Sequence, residues 1–379
     1  MKRLLKYIRY ILFYIGDYFY TIKLKKNHST ELLIVRLDSI GDFIIWLDSA
    51  KEYRRIYPGR KITLCVNALL FELAITQPYW DKVIPLDLHR FINNPIYRWK
   101  LLHNISQAGF SIAIQPNFSR SYYYGDSVIR ATRAYEKIGS QSDLNNIKVI
   151  EKKISDRWYS KLVVATKKPL MELERNAEFI SNLSGQKFCP QLSKLSQASL
   201  LLESLKIDRE YFIIFPGASW YGRQWPTGCF AEVSEYLHKK YGLQVVLCGS
   251  SAEVALCKRV ADKVSVESVN LAGKTTLSEL AELIRGAKLL IANETSAIHI
   301  AAAVGTPSVC ILGGGHYGRF MPYPEDIEGI KPFIAIHKMS CFNCNWRCNQ
   351  EYHRSGPVPC ILSITINQVL TLADQTLSS

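Results

Sequence analysis

Short apolar runs recur along the chain, and each ends in a polar or glycine-containing loop that leads into residues at helical spacing. The first is "LLIV" at residues 32–35, followed by the loop "RLDSIGD" and apolar residues at helical spacing from Phe43 onward. Aliphatic runs this short are typical of strands buried on both faces of a parallel sheet. The next helix would begin at the carboxyl edge of that sheet, where α/β proteins bind ligands. We therefore expect Asp42 in a crevice there, although a simple helix-capping role would also explain it.

This alternation of strands and helices occurs twice. Further strands are predicted in the first half at "KITLCVN", "KVIPLDL" and "FSIAIQPN", and residues 150–205 have a polar, helical pattern. The second half contains five strand-plus-loop units, which are "YFIIFPGAS", "LQVVLCGSSAE", "VNLAG", "AKLLIANETS" and "PSVCILGGG". A chain of 379 residues that is 48% hydrophobic can bury two cores. We predict an α/β fold of two Rossmann-like domains, with mainly parallel sheets facing an interdomain cleft.

The predicted domains are a basic aromatic helix at 1–27, an amino-terminal Rossmann-like domain at 28–195 and a carboxyl-terminal Rossmann-like domain at 196–379. This two-domain architecture is that of the GT-B glycosyltransferases, and some epimerases and phosphorylases share it. Fold alone therefore does not decide the function.

The positive charge is concentrated at the amino terminus. Residues 1–30 contain seven Lys or Arg and one acidic residue, Asp17, and so supply six of the fourteen net charges. The apolar middle of "MKRLLKYIRYILFYIGDYFYTIKLKK" is too short for a convincing membrane span, and the segment has no signal-peptide cleavage site. We predict a helix lying at a membrane surface, in a peripheral protein. A helix packed on its own domain, with solvated lysines at its ends, is the alternative.

Four of the ten cysteines form a cluster with C-x2-C-x3-C-x11-C spacing near the carboxyl end. They are Cys341, Cys344, Cys348 and Cys360, in the segment 341–360. Four thiolates within twenty residues can surround a tetrahedral zinc or iron ion. We predict a structural metal, with free thiols or adventitious disulfides as the alternatives. A site with four protein ligands would leave no open position for catalysis.

The loops after the strands of the second half carry groups suited to a nucleotide diphosphate. Arg223 supplies a cation for phosphate beside the flat ring of Trp225, in "FPGASWYGRQWP". Glu253, in "CGSSAE", stands where a carboxylate can accept hydrogen bonds from ribose hydroxyls. The "GGG" triplet around Gly314 permits close backbone approach to a ligand. Further candidates for donor binding in these loops are Leu277, His316 and Arg319.

The stretch "NETSAIHIAAAVGTP" places a helix start directly after a strand. Asn293, Thr295 or Ser296 can cap this helix, and His299 shares a face with Thr295 because the two are four residues apart. The N–H groups and the dipole of a helix start favour a diphosphate. An ordinary capped helix with a buried histidine would give the same pattern.

Taken in order, the segments "RLDSIGD", "FPGASWYGRQWP", "CGSSAE", "LAGKTTLSEL" and "NETSAIHIAAAVGTP" resemble glycosyltransferase family 9. This family contains the ADP-heptose:lipopolysaccharide heptosyltransferases, and the resemblance covers about residues 30 to 330. It implies an inverting GT-B transferase that needs no catalytic metal. The expected donor is a nucleotide diphosphate sugar such as ADP-heptose, and the acceptor is lipopolysaccharide or another cell-surface glycan. The resemblance thus implies an acceptor domain at 28–195 and a nucleotide-sugar domain at 196–379. It also implies a cytoplasmic protein that is peripheral at the inner face of the bacterial cytoplasmic membrane.

The resemblance also assigns individual residues. The family's Gly-Asp pair falls on Gly41 and Asp42, and it makes Asp42 the general base. The basic-x-Trp motif begins at Arg223, where lysine is usual. The Asp-Ser/Thr-Gly motif begins at Glu294, which is one methylene longer than aspartate, and a serine, Ser296, replaces its glycine.

Two other functions fit parts of the sequence. A nucleotide-sugar epimerase or hydrolase of the same fold would turn over the donor without an acceptor. A nucleic-acid-binding protein would interleave basic and aromatic residues along a groove, whereas here the surplus charge is terminal and the glycine loops suit a small diphosphate. We therefore expect a small-molecule donor, a glycan or glycolipid acceptor and no nucleic acid.

Overall fold

The computed structural model describes residues 2–20, 30–197, 205 and 207–378. Of residues 2–9 and 20 it describes only the backbone. The chain forms two compact units. The first comprises Met1–Phe43, Ser49–Lys168 and Glu174–Cys189, and the second comprises Ile44–Asp48, Pro169–Leu173 and Pro190–Ser379. The domain boundaries expected from the sequence stay a prediction, and residues 21–27 of the expected amino-terminal helix lie outside the described residues.

The first unit is built on a six-stranded parallel sheet in the order β3-β2-β1-β4-β5-β6. Its strands are β1 (Leu32–Arg36), β2 (Ile62–Asn67), β3 (Lys82–Leu86), β4 (Ile112–Gln115), β5 (Glu136–Ser140) and β6 (Lys161–Val163). The helices up to the end of this sheet are α1 (Lys2–Tyr20), α2 (Ile40–Ala50), α3 (Glu52–Ile56), α4 (Phe71–Ile75), α5 (Leu88–Asn93), α6 (Pro95–Ala108), α7 (Ser127–Thr132) and α8 (Val149–Ser155). A π-helical turn, Tyr122–Asp126, precedes α7. Helix α9 (Glu172–Ser184) follows β6.

The second unit contains another six-stranded parallel sheet, in the order β12-β11-β10-β7-β8-β9. Its strands are β7 (Tyr211–Phe215), β8 (Gln244–Leu247), β9 (Ser268–Asn270), β10 (Leu289–Asn293), β11 (Ser308–Leu312) and β12 (Phe333–Ile336). The helices are α10 (Thr227–Tyr241), α11 (Val254–Ala261), α12 (Leu277–Gly286), α13 (Ser296–Val304), α14 (Pro359–Leu362) and α15 (Ile366–Leu377).

Both sheets follow the same plan, and the predicted α/β architecture with parallel sheets is confirmed. Every residue of the central strands β1, β7 and β10 is buried, as the continuous apolar runs predicted. In each sheet the first strand of the unit lies beside the fourth, so the strand order reverses between them. Ligands of open α/β sheets bind beyond the carboxyl ends of the strands at such reversal points.

Helix α1 packs against α6 and α7 of the first unit through one face. The buried Asp17 carboxylate accepts hydrogen bonds from Nε and Nη2 of Arg98, at 2.8 and 2.5 Å. The Arg98 guanidinium also lies 4.6 Å from the ring centroid of Phe13, and Tyr10 stacks on Tyr123 at 3.8 Å. This face therefore combines an ion pair with aromatic packing.

The other face of α1 presents large apolar side chains to solvent. They are Ile11, Leu12, Tyr14, Ile15, Tyr18 and Phe19, each between 42% and 62% exposed. The side chains of the basic residues in the segment 2–9, and residues 23–26, lie outside what the structure describes. In the described parts of the chain, no helix has the length and apolarity needed to cross a membrane.

Candidate active site

The loops after β7 and β10 meet where the order of the second sheet reverses. Asn293, the last residue of β10, joins them: its side-chain oxygen accepts from the backbone N–H of Trp225 at 3.0 Å. Its side-chain nitrogen donates to the carbonyl of Pro216 at 2.8 Å. One buried asparagine thus fixes the arginine-bearing loop against the strand that carries Glu294. Sequence reasoning placed Asn293 only as a possible helix cap.

Arg223 and Glu294 form an ion pair at this point. Nη2 of Arg223 lies 3.1 Å from Oε2 of Glu294 and also donates to the Glu294 carbonyl at 2.8 Å. Nη1 donates to the hydroxyl of Ser219 at 3.1 Å. The sequence singled out both charged residues for donor binding, and the structure brings them into direct contact.

The Glu294 side chain is buried, which penalises its charged form. Burial raises the pKa of Glu294 to about 7, and the neighbouring Arg223 opposes that rise. The carboxyl group therefore changes its charge near neutral pH, beside a cation that is always charged.

Trp225 lies in the core and not on the loop surface. Its side chain is 1% exposed, and its indole N–H donates to the carbonyl of Ile364 at 2.9 Å. The ring therefore offers no flat surface to a ligand, and a contribution of Trp225 to donor binding through its backbone stays a prediction.

Helix α13 begins directly after Glu294. Thr295 is the N-cap residue but makes no side-chain capping bond, and its buried hydroxyl has no hydrogen-bond partner among the described residues. Ser296 is the first helical residue. His299 is buried one turn later, with Nδ1 2.9 Å from the hydroxyl of Tyr323. The helix start is thus present as predicted, while His299 also fits the alternative of a buried structural histidine.

Glu253 and Leu277 lie at two further helix starts of this unit. The Glu253 carboxylate accepts from the backbone N–H and the hydroxyl of Ser250, at 2.7 and 2.8 Å. It also lies so close to Gly217 that a side chain there would collide with it. Leu277 is the first residue of α12, whose N-terminus is closed by a capping box between Thr276 and Glu279. Their roles in donor binding stay predictions.

The glycine triplet after β11 is packed against protein side chains. A Cβ atom at Gly313 or Gly315 would collide with Trp346, and one at Gly314 would collide with Phe342. The expected close approach to this backbone is therefore made by two aromatic rings of the chain itself. The rings lie about thirty residues after the triplet in the sequence, and no sequence pattern predicted this contact.

His316 and Arg319 follow the triplet. Nδ1 of His316 accepts from the indole N–H of Trp346 at 3.2 Å, and Nε2 lies 2.6 Å from Oδ1 of Asn345. Arg319 lies with its guanidinium 5.0 Å from the ring centroid of Phe320. The structure thus ties His316 to the cysteine-rich segment.

In the first unit, Asp42 lies in the first turn of α2, and Gly41 precedes it. The N-cap residue is Ser39, whose hydroxyl donates to Oδ2 of Asp42. Asp42 is thus oriented by the cap residue without being that residue. The Arg36 guanidinium donates to the Asp42 carbonyl at 3.4 Å.

A second carboxylate, Asp38, lies in the same loop and was not singled out from the sequence. It pairs with the fully buried Arg36, whose Nε lies 2.5 Å away, and accepts from the side-chain amide of Asn117. Its carbonyl accepts from Asn67 at 3.3 Å. Asp38 and Asn117 follow β1 and β4, and Asn67 is the last residue of β2, so the polar ends of three neighbouring strands converge here. The sequence feature that could have identified this group is an aspartate or asparagine at the end of each strand.

The four cysteines of the carboxyl-terminal cluster line one cavity, together with Met339, Phe342 and Trp346. The Sγ of Cys360 accepts from the backbone N–H of Gly314 at 3.5 Å. Within the described part of the chain, however, no three His, Cys, Asp or Glu side chains are arranged to hold a metal ion. The structure thus gathers the four thiols around one space but does not show the metal site predicted from their spacing.

Comparisons with known proteins agree with this architecture. Lipopolysaccharide heptosyltransferase 2 of Escherichia coli (strain K12) is 24% identical over 355 residues, which is 90% of this chain and 96% of that protein. The solved structure of E. coli ADP-heptose LPS heptosyltransferase II matches with a TM-score of 0.69 and 20% identity, over 92% of this chain and 98% of that one.

A third similar protein is TibC from enterotoxigenic E. coli H10407, described as an iron-containing dodecameric glycosyltransferase. It matches with a TM-score of 0.56 and 15% identity, over 94% of this chain and 80% of that one. These structural matches confirm the predicted GT-B fold.

The model of the family described as "Glycosyltransferase family 9 (heptosyltransferase)" matches residues 128–347, more than half of the chain. That range contains the Arg223–Glu294 pair, the start of α13 and the glycine triplet. The family resemblance found in the motifs is thereby confirmed, and the chain belongs to glycosyltransferase family 9.

Proposed function

We propose that this enzyme transfers a heptose from ADP-heptose to a lipopolysaccharide acceptor, with inversion at the anomeric carbon. The observation that carries the proposal is the Arg223–Glu294 pair at the reversal point of the second sheet, directly before the start of α13. A cation beside a helix N-terminus is suited to a diphosphate. Two of the similar proteins named above are described as heptosyltransferases, and the description of one of them names ADP-heptose.

In this proposal the second unit holds the donor. Arg223 and the backbone N–H groups at Thr295 and Ser296 stabilise the negative charge that develops on the diphosphate as it leaves. The unpartnered hydroxyl of Thr295 supports this role, since it leaves a buried donor available for a phosphate oxygen. Glu294 contacts the sugar, and Glu253 accepts hydrogen bonds from the ribose.

Asp42 is the proposed general base. Its carboxylate takes the proton of the acceptor hydroxyl while that oxygen forms a bond to the anomeric carbon. The bond from that carbon to the diphosphate breaks on the opposite side, and ADP leaves with the electron pair. The hydrogen bond from Ser39 supports the role, because it fixes the direction of the carboxylate.

Arg223→Ala tests the donor assignment. We expect ADP, measured by isothermal titration calorimetry, to bind at least about tenfold more weakly, because a hydrogen bond to a charged group contributes roughly 1.5–3 kcal/mol. Lys258→Ala, which removes an exposed cation of the same unit, is the control and should leave the affinity unchanged.

The reaction is tested by adding ADP-heptose with and without a heptose-deficient lipopolysaccharide. Release of ADP should require the acceptor. Equal donor turnover in its absence would instead identify an epimerase or hydrolase and would refute the proposed transfer.

The cysteine cluster is proposed to hold one structural zinc or iron ion, bound by Cys341, Cys344, Cys348 and Cys360. The donor set fits such an ion, since the four thiols line one cavity and the N–H of Gly314 already donates to one sulfur. The iron of TibC adds support from a protein of the same fold. The ion would hold the segment together and take no part in transfer.

Metal analysis tests this proposal. Protein purified without added metal should contain about one zinc or iron per chain, and Cys344→Ser should lose it and melt at a lower temperature. Cys189→Ser, at an exposed cysteine outside the cluster, should retain the metal. A folded, reduced protein without bound metal would disprove the site. EDTA at a concentration that leaves this ion in place should not slow transfer, because we propose no catalytic metal.

The exposed face of α1 is proposed to lie on the inner surface of the cytoplasmic membrane, where the lipid-linked acceptor is made. Its side chains Ile11, Leu12, Ile15 and Phe19 are exposed, and residues 1–30 supply six of the fourteen net positive charges of the chain. Apolar burial and attraction to anionic lipids add to each other in such helices.

A further inference from the structure

The segment 341–346 lies against the loops assigned to the donor. The backbone N–H of Asn343 donates to the carbonyl of Gly314 at 2.7 Å, and that of Asn345 donates to the carbonyl of Gly315 at 3.0 Å. The cysteine-rich segment and the glycine triplet are therefore joined along their backbones, and the triplet has no room for side chains because aromatic rings of this segment fill it.

Trp346 touches two groups that belong to the candidate site. The guanidinium carbon of Arg223 lies 4.7 Å from its ring centroid, which is a cation–π contact. Its indole N–H donates to Nδ1 of His316 at 3.2 Å. With Nδ1 accepting, the ring proton of a neutral His316 lies on Nε2, where it can be donated to Asn345.

The Arg223 guanidinium is thus held from several sides. The carboxylate and the carbonyl of Glu294 and the hydroxyl of Ser219 accept its hydrogen bonds, and its guanidinium carbon lies over the ring of Trp346. A planar guanidinium that is already oriented loses less conformational freedom when it binds a phosphate. Without the indole, only the hydrogen bonds to Glu294 and Ser219 would orient the group.

The backbone of this turn is itself constrained. Asn343, Asn345 and Trp346 have positive φ values of 66°, 51° and 58°, a region that residues with a side chain seldom adopt. Such a conformation persists where the surroundings enforce it. Here those surroundings are the glycine triplet on one side and the cysteine-lined cavity on the other.

We propose that Trp346 is a positioning residue for donor binding, which orients the Arg223 guanidinium and the His316 ring toward the donor diphosphate. This inference rests on the proposed function, in which Arg223 binds that diphosphate. It gives the cysteine-rich segment a role in the reaction, since the segment presents the indole to the site.

Variants of the full-length protein test the proposal. Trp346→Leu keeps apolar bulk but removes the aromatic face and the N–H, and Trp346→Phe keeps the face alone. We expect the Leu variant to raise the Kd of ADP and the KM of the donor by about threefold to thirtyfold, the range of a cation–π contact. The Phe variant should recover most of the affinity, and kcat should change less than KM in both.

Asn349→Ala, at an exposed position of the same segment, is the matched control and should behave as the unchanged protein. Melting temperature and metal content are measured for each variant. If Trp346 had only a structural role, its substitution would lower both of these quantities and would not change KM more than kcat. ADP affinity within twofold of normal in Trp346→Leu, with weak binding in Arg223→Ala, would overturn the positioning role and leave the proposed function intact. Normal ADP affinity in Arg223→Ala would overturn the donor assignment and this inference with it.

Discussion

Glu294 has a side chain one methylene longer than the aspartate of the family motif, and this length brings its carboxylate to Arg223. The pKa of Glu294, raised by burial to about 7, lies above the ordinary value of 4.5 that the unfolded chain would have. Between these two values the folded protein binds a proton that the unfolded chain has released. The free energy of unfolding must therefore decrease as the pH rises through this range.

We expect this decrease to be on the order of 3 kcal/mol between about pH 4.5 and 7. Glu294→Gln cannot lose a proton, so its unfolding free energy should lack that part of the pH dependence. Urea titrations of both proteins at several pH values measure the difference. If the free energies of unfolding of the two proteins differ by the same amount at every pH from 4.5 to 7.5, the raised pKa is contradicted.

The proposed role of Asp42 as general base is tested by one substitution. Asp42→Asn keeps the size of the side chain but cannot accept a proton, so transfer should slow by about 100-fold to 10,000-fold, the usual contribution of a positioned base. ADP affinity should stay unchanged, because the donor is assigned to the other unit. Rates measured under single-turnover conditions, with an ADP titration beside them, test both statements. A variant within a few-fold of the normal rate would remove Asp42 from the mechanism.

The charged residues of the candidate site show what could be predicted from the sequence and what could not. Asp42, Arg223 and Glu294 were singled out because each follows a recognisable strand. The contact between the last two depends on loops 71 residues apart, and nothing local encodes it. Trp225 was expected beside a ligand because it adjoins Arg223, yet it is directed into the core, where its indole finds a carbonyl partner. Neighbours in an irregular loop need not share a face.

Among the elements, α1 combines a packed face and an exposed one. Its packing on α6 and α7 agrees with the alternative of a helix packed on its own domain, while membrane contact through the exposed face stays a prediction. To test the surface, Ile11→Glu and Ile15→Glu are combined, which changes exposed side chains only. We expect the variant to lose sedimentation with vesicles of anionic phospholipid and to keep its ADP affinity.

Ile96→Glu serves as the control, because Ile96 is also strongly exposed on a helix of the same unit. It should sediment with vesicles as the unchanged protein does. Equal sedimentation of the double variant would show that α1 makes no membrane contact through this face.

The packed face depends on the Asp17–Arg98 pair, in which both side chains are nearly fully buried. Asp17→Asn leaves the guanidinium without its counter-charge, and we expect it to lower the free energy of unfolding by about 3–5 kcal/mol. Adding Arg98→Met, which removes the unpaired charge, should restore part of that loss. Urea denaturation of the three proteins provides the comparison. An Asp17→Asn protein of normal stability would mean that the pair does not fasten the helix.

At the scale of the whole molecule, the sequence predicted the central strands of both sheets and left out three outer ones. Strands β5, β6 and β12 each begin with an exposed residue, so their apolar pattern is interrupted. The central strands are continuous apolar runs because helices cover both of their faces. The fold class was therefore predictable from the middle of each sheet, while its full width was not.

The fastening of α1 has a consequence for how the enzyme would move. If a membrane-bound helix is joined to the rest of its protein by a flexible linker, that protein can still rotate freely above the lipid surface. Here the buried pair of Asp17 and Arg98 and the stacked rings of Tyr10 and Tyr123 attach the helix directly to its unit. With its apolar face on the membrane, the first unit would keep one fixed tilt, and its remaining freedom would be to slide in the plane and to spin about the membrane normal. Its search for a lipid-linked acceptor would then be two-dimensional, with one side of the unit always facing the lipid.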